Sequence, residues 1–238
     1  MTGALVCLHF KMRMQVTTTT SGASAAKTVI VLAACVLGLL LVDVTMGGPL
    51  SAHDRAAIAW LTSHQSVTLN GPLHAASLLG GPSATSAYAA IAVAWYLARR
   101  RIAAATAIGV LIYGGVLLNA VIKEIVQRGR PVVDDFAITL PTFSFPSGHA
   151  AASTLFAGLL WWMSWSSGWH RSWRAVTLAC AAAYVLLVCL SRMYFGLHYP
   201  TDVAAGAAEA LLWLSGWIVA VDRLGLDLRF QPATATSS

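Results

Sequence analysis

The segment SRMYFGLHYPTD, residues 191–202, joins two long apolar stretches and carries Arg192, His198 and Asp202. Two other polar segments interrupt apolar sequence in the same way, namely KEIVQRGRP at residues 123–131 and PSGH at residues 146–149. A charged side chain is costly close to a lipid bilayer and is seldom kept there without a function. The polar chemistry of this chain is therefore concentrated at the ends of hydrophobic segments.

The composition is that of a membrane protein, since 58% of the 238 residues are hydrophobic and only 10% are charged. Soluble domains carry about 25% charged residues, so an ordinary soluble protein is excluded. The formal charge of +6 is not arranged as a basic cluster with interleaved aromatics, which argues against nucleic-acid binding. The four cysteines are scattered and form no CxxC pair, so we expect neither a disulfide framework nor a metal site.

Six apolar segments are candidates to cross the roughly 30 Å hydrocarbon core as helices. They are Thr28–Met46, Leu73–Ala98, Ile102–Ile122, His149–Ser166, Ala175–Leu190 and Val203–Val221. The sequence therefore predicts an all-α, polytopic membrane protein with six transmembrane helices in one domain, residues 28–222. Residues 1–27 and 223–238 are expected to form cytoplasmic tails.

The distribution of lysine and arginine predicts the orientation, because cytoplasmic loops carry an excess of both. With the N-terminus inside, most of the 15 lysines and arginines fall on the cytoplasmic side, and several of the others belong to the polar segments. We therefore expect both termini in the cytoplasm and an extracytoplasmic active site formed by the polar segments. Residues 53–63 mix apolar and polar side chains and are predicted to form a short helix on the outer surface.

The first two polar segments have the residues of an anion site. Lys123 and Arg130 are seven residues apart, so a helix continuing through both would present two cations on one face. Ser147 and Gly148 precede His149 at the predicted start of a helix, where free N–H groups favour an anion. Each segment alone has an ordinary alternative: a cationic helix C-terminus for the first, and a Pro-Ser N-cap followed by a chance histidine for the second.

The third segment contains a candidate nucleophile. His198 and Asp202 are four residues apart at the predicted start of the last helix, so one turn brings the carboxylate to the imidazole. A carboxylate that binds one ring nitrogen fixes the tautomer and leaves the other nitrogen available for attack. Arg192 precedes them and supplies another guanidinium. In isolation, the segment also fits an interfacial His–Asp pair beside a snorkelling arginine.

Together, the three segments resemble the signature of the type 2 phosphatidic acid phosphatases: K-x6-RP, PSGH and SR-x5-H-x3-D. Every fixed position matches in order, namely Lys123, Arg130, Pro131, Pro146, Ser147, Gly148, His149, Ser191, Arg192, His198 and Asp202. The six-span layout is similar to that of the bacterial integral-membrane members. Soluble bacterial acid phosphatases and vanadium haloperoxidases share the signature, but the continuous apolar spans argue against both.

The resemblance implies metal-independent hydrolysis of a lipid phosphate or diphosphate, with no cofactor. It implies that His198 attacks phosphorus to form a phosphohistidine, that Asp202 orients His198, and that His149 is general acid and then general base. It also implies that the phosphate oxygens are held by Lys123, Arg130, Arg192, Ser147 and Gly148. The partners it implies are the membrane lipid substrate and the bilayer.

Several alternatives stay open at this stage. The substrate class includes undecaprenyl diphosphate, phosphatidylglycerol phosphate and phosphatidic acid, and the sequence sets neither the choice among them nor the oligomeric state. A phosphotransferase to a lipid or sugar acceptor, and a non-catalytic phospholipid-binding or transport protein, are alternatives on the same scaffold. Outside the signature, Glu209 is interpreted as a buried carboxyl with a local partner, with tuning of the site or proton movement as the alternative. Arg128 is interpreted as a residue of the membrane surface, with contact to a diphosphate as the alternative.

Overall fold

The computed structural model describes residues 2–132, 142–226 and 228 of the chain. Within these residues the architecture is all-α, as expected from the sequence, and contains no strand. The helices are α1 (Thr2–Met46), α2 (Pro49–Ser63), α3 (Val67–Gly80), α4 (Pro82–Ala98), α5 (Ile102–Val126), α6 (Gly148–Ser166), α7 (Arg171–Tyr194) and α8 (Pro200–Arg223).

Four helical segments are long and apolar enough to cross a membrane. They are Ser24–Met46, Ile102–Val126, Arg171–Tyr194 and Pro200–Arg223, and they contain the first, third, fifth and sixth predicted spans. The fourth predicted span, His149–Ser166, coincides in extent with α6, which is not one of these four segments. The total of six spans therefore stays a prediction, as do the two cytoplasmic tails.

The second predicted span, Leu73–Ala98, is not one helix. It is divided between α3 and α4, because Gly81 adopts extended backbone and Pro82 begins a new helix. Proline has no N–H to continue a helix and disfavours helical backbone in the residue before it. The two helices have 14 and 17 residues, each fewer than the ~20 that a perpendicular span needs.

The main hydrophobic core lies between α4, α5, α6 and α8. Its buried side chains include Tyr96, Leu111, Leu155 and Leu214. The indole N–H groups of two tryptophans on α8 also donate across this interface: Trp213 to the Leu111 carbonyl at 2.9 Å and Trp217 to the Ala107 carbonyl at 2.7 Å. Indoles inside an apolar bundle need such acceptors, so these bonds fix α8 against α5.

The predicted surface helix is present as α2, although it begins earlier, at Pro49. Its N-terminus is held by Asp43 at the end of α1, whose carboxylate accepts from the Leu50 N–H at 3.0 Å and the Ser51 N–H at 2.7 Å. These are N–H groups that the first turn of a helix leaves without intrahelical acceptors. The helix is two-sided, because Trp60 is 61% exposed while Asp54 is 2% exposed.

A close backbone contact joins the PSGH segment to α8. A Cβ atom on Gly206 would lie 2.3 Å from the Ser147 carbonyl oxygen, so only glycine fits at that position. The Ser147 N–H donates to the Asp202 carbonyl at 2.9 Å. The second and third polar segments are therefore packed against each other at the start of α8.

Candidate active site

His198 and Asp202 form the centre of the candidate site. His198 lies just before α8, and its Nδ1 atom is 3.5 Å from Oδ2 of Asp202 in the first turn. This separation is longer than a standard hydrogen bond, and Nδ1 has no hydrogen-bond partner among the residues that the structure describes. Catalytic hydrogen bonds commonly tighten on substrate binding. The geometry directs Nδ1 to the carboxylate and leaves Nε2 for a substrate.

The Asp202 carboxylate is fully buried and held from several directions. Oδ2 accepts from the Tyr199 N–H at 2.9 Å and from the Ser144 hydroxyl. Oδ1 accepts from Nη1 of Arg128 at 2.5 Å. A buried carboxylate needs such donors to remain charged, so its orientation toward His198 is fixed by three other residues.

Arg130 lies on the Nε2 side of the same imidazole. Its Nη1 atom is 3.3 Å from Nε2 of His198 and donates to the Leu197 carbonyl at 2.7 Å. Burial lowers the pKa of His198 to about 4, against an opposing effect of Asp202. The imidazole is therefore neutral at pH 7, and its Nε2 atom accepts from the Arg130 guanidinium.

Lys123 and Arg130 meet, but not on one helix face as the sequence analysis expected. Helix α5 ends at Val126, and Gln127 adopts the left-handed conformation with φ of 51°. Arg130 therefore lies in a loop beyond the helix. Both cations reach the Phe143 carbonyl, Lys123 Nζ at 2.8 Å and Arg130 Nη2 at 3.3 Å. The loop turns the arginine back toward His198.

The PSGH segment begins α6 as expected. Ser147 is the N-cap, and its Oγ lies 3.5 Å from the Ala150 N–H. Gly148 is the first helical residue, where N–H groups lack intrahelical acceptors. His149 lies at the break between α3 and α4, since a Cβ atom added to Gly81 would lie 2.9 Å from Nε2 of His149. The break that interrupts the second predicted span thus makes room for His149.

Arg192 is buried near the end of α7 and has unused donor capacity. Its Nη1 atom donates to the Ser77 hydroxyl at 2.5 Å, and its Nε has no partner in the described structure. Direct contacts join Arg130 of the first polar segment to His198 of the third, and the Ser147 N–H of the second to the Asp202 carbonyl of the third. The signature residues from all three polar segments therefore lie around a common region.

Arg128 is not a residue of the membrane surface, and this corrects the sequence-based interpretation. Its guanidinium bridges two buried carboxylates: Nη1 donates to Asp202, and Nη2 donates to Asp54 at 2.8 Å. Asp54 also accepts from the Thr201 N–H at 3.2 Å and from the Thr201 hydroxyl. The two carboxylates hold the arginine from either side. Its Cζ atom also lies over the Tyr199 ring, 4.3 Å from the ring centroid.

Sequence reasoning missed Asp54, Ser77, Ser144 and Gly81, which lie outside the signature. Only Asp54 carried a signal, as the single acidic residue of the predicted surface helix. Glu209 does have the expected local partner, because Asn119 Nδ2 donates to its Oε2 at 2.8 Å. Among the residues that the structure describes, no group of three or more His, Cys, Asp or Glu side chains is arranged to hold a metal ion.

A family model described as the PAP2 superfamily matches residues 104–225, about half of the chain and all three polar segments. The chain belongs to the PAP2 superfamily. This confirms the resemblance on which the signature assignment rests.

Two known PAP2-type relatives of this chain are phosphatases by name. Phosphatidylglycerophosphatase B of Bacillus subtilis (strain 168) is 34% identical over 99 residues, which are 40% of this chain and 47% of the relative. Decaprenylphosphoryl-5-phosphoribose phosphatase of Mycolicibacterium smegmatis is 38% identical over 91 residues, 36% of this chain and 43% of the relative. The matched region thus spans a little under half the length of each relative.

The PAP2 fold is also found in a solved structure. The crystal structure of a transmembrane PAP2-type phosphatidylglycerolphosphate phosphatase from Bacillus subtilis superposes with a TM-score of 0.65 at 24% sequence identity. The alignment covers 79% of this chain and 94% of that one. Together with the four apolar helices, this fold identifies the chain as a membrane protein.

Proposed function

We propose that this PAP2 protein hydrolyses a lipid phosphate or diphosphate through a phosphohistidine intermediate. The observation that carries the proposal is the environment of His198. One ring nitrogen faces the fixed Asp202 carboxylate at 3.5 Å, and the other lies 3.3 Å from the Arg130 guanidinium. A neutral imidazole oriented by a carboxylate and placed beside an arginine is equipped to attack a phosphoryl group.

In the first step, the Nε2 lone pair of His198 attacks phosphorus, and the bond from phosphorus to the leaving oxygen breaks. The leaving oxygen takes a proton from His149 and departs as a lipid alcohol, or as a lipid phosphate when the substrate is a diphosphate. The proton on Nδ1 stays with His198, where Asp202 stabilises the positive charge that develops on the ring.

In the second step, His149 accepts a proton from water, and the water oxygen attacks phosphorus. The P–N bond breaks, its electron pair returns to Nε2, and orthophosphate leaves. Lys123, Arg130 and Arg192 offset the charge on the phosphoryl oxygens, while the Ser147 hydroxyl and Gly148 N–H add hydrogen bonds. The Nε of Arg192, which has no partner in the described part of the chain, supports this assignment, because a buried donor without an acceptor is unfavourable until an anion binds.

The proposed reaction uses fixed cations of the chain and not a metal. Activity is therefore expected to be unchanged within about twofold by EDTA, because chelation removes no group that contacts the phosphate. Vanadate, which binds as a five-coordinate phosphate mimic, should inhibit competitively. Orthophosphate release by the purified protein in detergent measures both effects. Strong inhibition by EDTA that added Mg²⁺ reverses would contradict the mechanism.

The substrate class follows from the two named relatives. Phosphatidylglycerophosphate and decaprenylphosphoryl-5-phosphoribose both present a phosphate monoester on a lipid-linked head group. Undecaprenyl diphosphate and phosphatidic acid belong to the same wider class. Orthophosphate release across these four lipids tests the proposal directly. Loss of lipid phosphate without release of orthophosphate would instead indicate transfer to an acceptor, and binding without turnover would indicate a non-catalytic protein.

We further propose the topology predicted by the lysine and arginine distribution. The site would face the outside of the cytoplasmic membrane of a bacterium, with both termini in the cytoplasm. The placement of the site residues supports an interfacial location, since Lys123, Arg192 and Asp202 all lie near the ends of apolar helices. A lipid phosphate is then able to enter from the outer leaflet with its head group in the site.

Arg128 and Asp54 are positioning residues in this scheme, because they act on phosphate through Asp202. Replacing Asp54 with asparagine removes the charge that locates Arg128 and is expected to lower kcat about 10- to 100-fold with little change in KM, the scale of loss from a slightly misplaced catalytic group. Detergent assays of orthophosphate release give both constants.

The pairing of Asp54 with Arg128 also predicts non-additive losses. The double variant Asp54→Asn/Arg128→Gln should be little worse than the Arg128→Gln single variant, since both changes break one connected network. Asp222→Asn, an exposed carboxylate near the far end of α8, is the matched control. An Asp54→Asn protein that has unchanged kcat and only reduced thermal stability would show that Asp54 is purely structural.

A further inference from the structure

A large cavity lies beside the candidate site, between the end of α1, one face of α2 and the loop after α5. Its volume is about 1260 Å³. The α2 residues that line it include Ser51, Arg55, Ile58 and Thr62, whose spacing of three and four places them on one helix face. Arg130 lines the cavity as well, so the cavity borders one of the residues proposed to hold the phosphate.

The charged side chains that line this cavity within the described residues are all positive. Three arginines line it, Arg55, Arg128 and Arg130, and none of its described lining residues is acidic. Arg128 is neutralised by Asp54 and Asp202, and Arg130 contacts backbone carbonyls, a threonine hydroxyl and His198. The Arg55 side chain is exposed and forms no hydrogen bond or ion pair within the described residues. It is therefore available to an anion in the cavity.

We propose that this cavity binds the part of the substrate on the leaving-group side of the scissile phosphate, and that Arg55 pairs with a second phosphate there. The inference rests on the proposed function and narrows its substrate class. A substrate of this kind is a lipid whose terminal phosphate is separated from the hydrocarbon by another phosphate, in a phosphodiester or a diphosphate. Phosphatidic acid has a single phosphate attached to diacylglycerol and offers nothing to Arg55.

The shape and chemistry of the lining agree with such a head group. The hydroxyl groups of Ser51 and Thr62 donate to backbone carbonyls, so their oxygens are left to accept from a polyol, while Ile58 and Val132 provide apolar walls. Guanidinium groups match phosphate oxygens in geometry, and a cleft lined by charge of one sign concentrates oppositely charged ligands. Arg55 is thus a specificity-determining residue and is not needed for attack by His198.

The test compares two lipids with the same acyl chains in the same detergent micelles, phosphatidylglycerol phosphate and phosphatidic acid. Replacing Arg55 with glutamine is expected to lower kcat/KM for phosphatidylglycerol phosphate about 10- to 100-fold, the loss of one charge-assisted contact. Its kcat/KM for phosphatidic acid should change by less than about twofold. Arg55→Lys should keep most of the activity on phosphatidylglycerol phosphate, and Arg223→Gln, an exposed arginine at the far end of α8, should alter neither.

Three results would overturn the subsite. The first is that Arg55→Gln lowers kcat/KM equally for both lipids, and the second is that it does not lower kcat/KM for phosphatidylglycerol phosphate. The third is that the wild-type protein prefers phosphatidic acid and that Arg55→Gln does not change this preference. In each of them the wild-type protein still releases orthophosphate, so the proposed function stands. A wild-type protein that releases no orthophosphate from either lipid, or from undecaprenyl diphosphate, would overturn the proposed function and the subsite with it.

Discussion

Replacing His198 with alanine is expected to lower orthophosphate release by at least about 1000-fold, because the variant lacks the nitrogen that attacks phosphorus. An enzyme without its nucleophile retains only the residual rate that binding and electrostatics supply. The measurement is the initial rate of orthophosphate release from a lipid phosphate by purified protein in detergent. Lipid binding should persist, since the cations that hold the phosphate are unchanged.

The matched control for this variant is His170→Ala. His170 is exposed at the N-terminus of α7, whereas His198 lies beyond the opposite end of that helix. We expect the control to retain wild-type turnover within about twofold, as for most exposed substitutions. A His198→Ala protein with near wild-type turnover would exclude the proposed nucleophile.

Replacing Asp202 with asparagine is expected to lower kcat by about 10³- to 10⁴-fold, the order seen when the carboxylate that orients a catalytic histidine becomes an amide. The change removes the charge that both Arg128 and His198 face, and it presents an amide that is able to donate toward Nδ1 and favour the wrong tautomer. Asp222→Asn, on the same helix, is the matched control and should be active.

The pH dependence distinguishes this loss from a change in protonation. Burial holds the pKa of His198 at about 4, so the nucleophile is already neutral at pH 7 and is lost only as the pH falls toward 4. Removing the Asp202 charge lowers this pKa further. Raising the pH from 7 to 9 should therefore not rescue Asp202→Asn. Recovery of wild-type kcat at pH 9 would show that Asp202 acts by another route.

Much of the site was predictable because its chemistry is local in sequence. The pairing of His198 with Asp202 follows from one helical turn, and the Ser147 N-cap follows from the PSGH segment preceding an apolar run. The family signature then joined segments that are far apart along the chain. These predictions needed no knowledge of how the helices pack.

The parts that were not predictable depend on tertiary contacts. Arg128 was assigned to the membrane surface, whereas the two carboxylates that it contacts come from α2 and α8, far from it in sequence. The division of Leu73–Ala98 into two helices was missed, although Gly81-Pro82 is a recognised helix breaker, since the hydropathy of the segment is continuous. That break also determines where His149 and Ser77 lie.

The most direct test of the account is to trap the phosphorylated protein and locate the phosphate. His149→Asn should slow the second step, and an aryl phosphate with a good leaving group lets the first step proceed without the general acid. After a rapid alkaline quench, which preserves phosphohistidine, mass spectrometry of the digested protein should find phosphate on His198. The same reaction with His149→Asn/His198→Ala should give no label. Phosphate on any other residue would contradict the central claim. So would turnover by the wild-type protein if no phosphoprotein is trapped with either the wild-type or the His149→Asn protein.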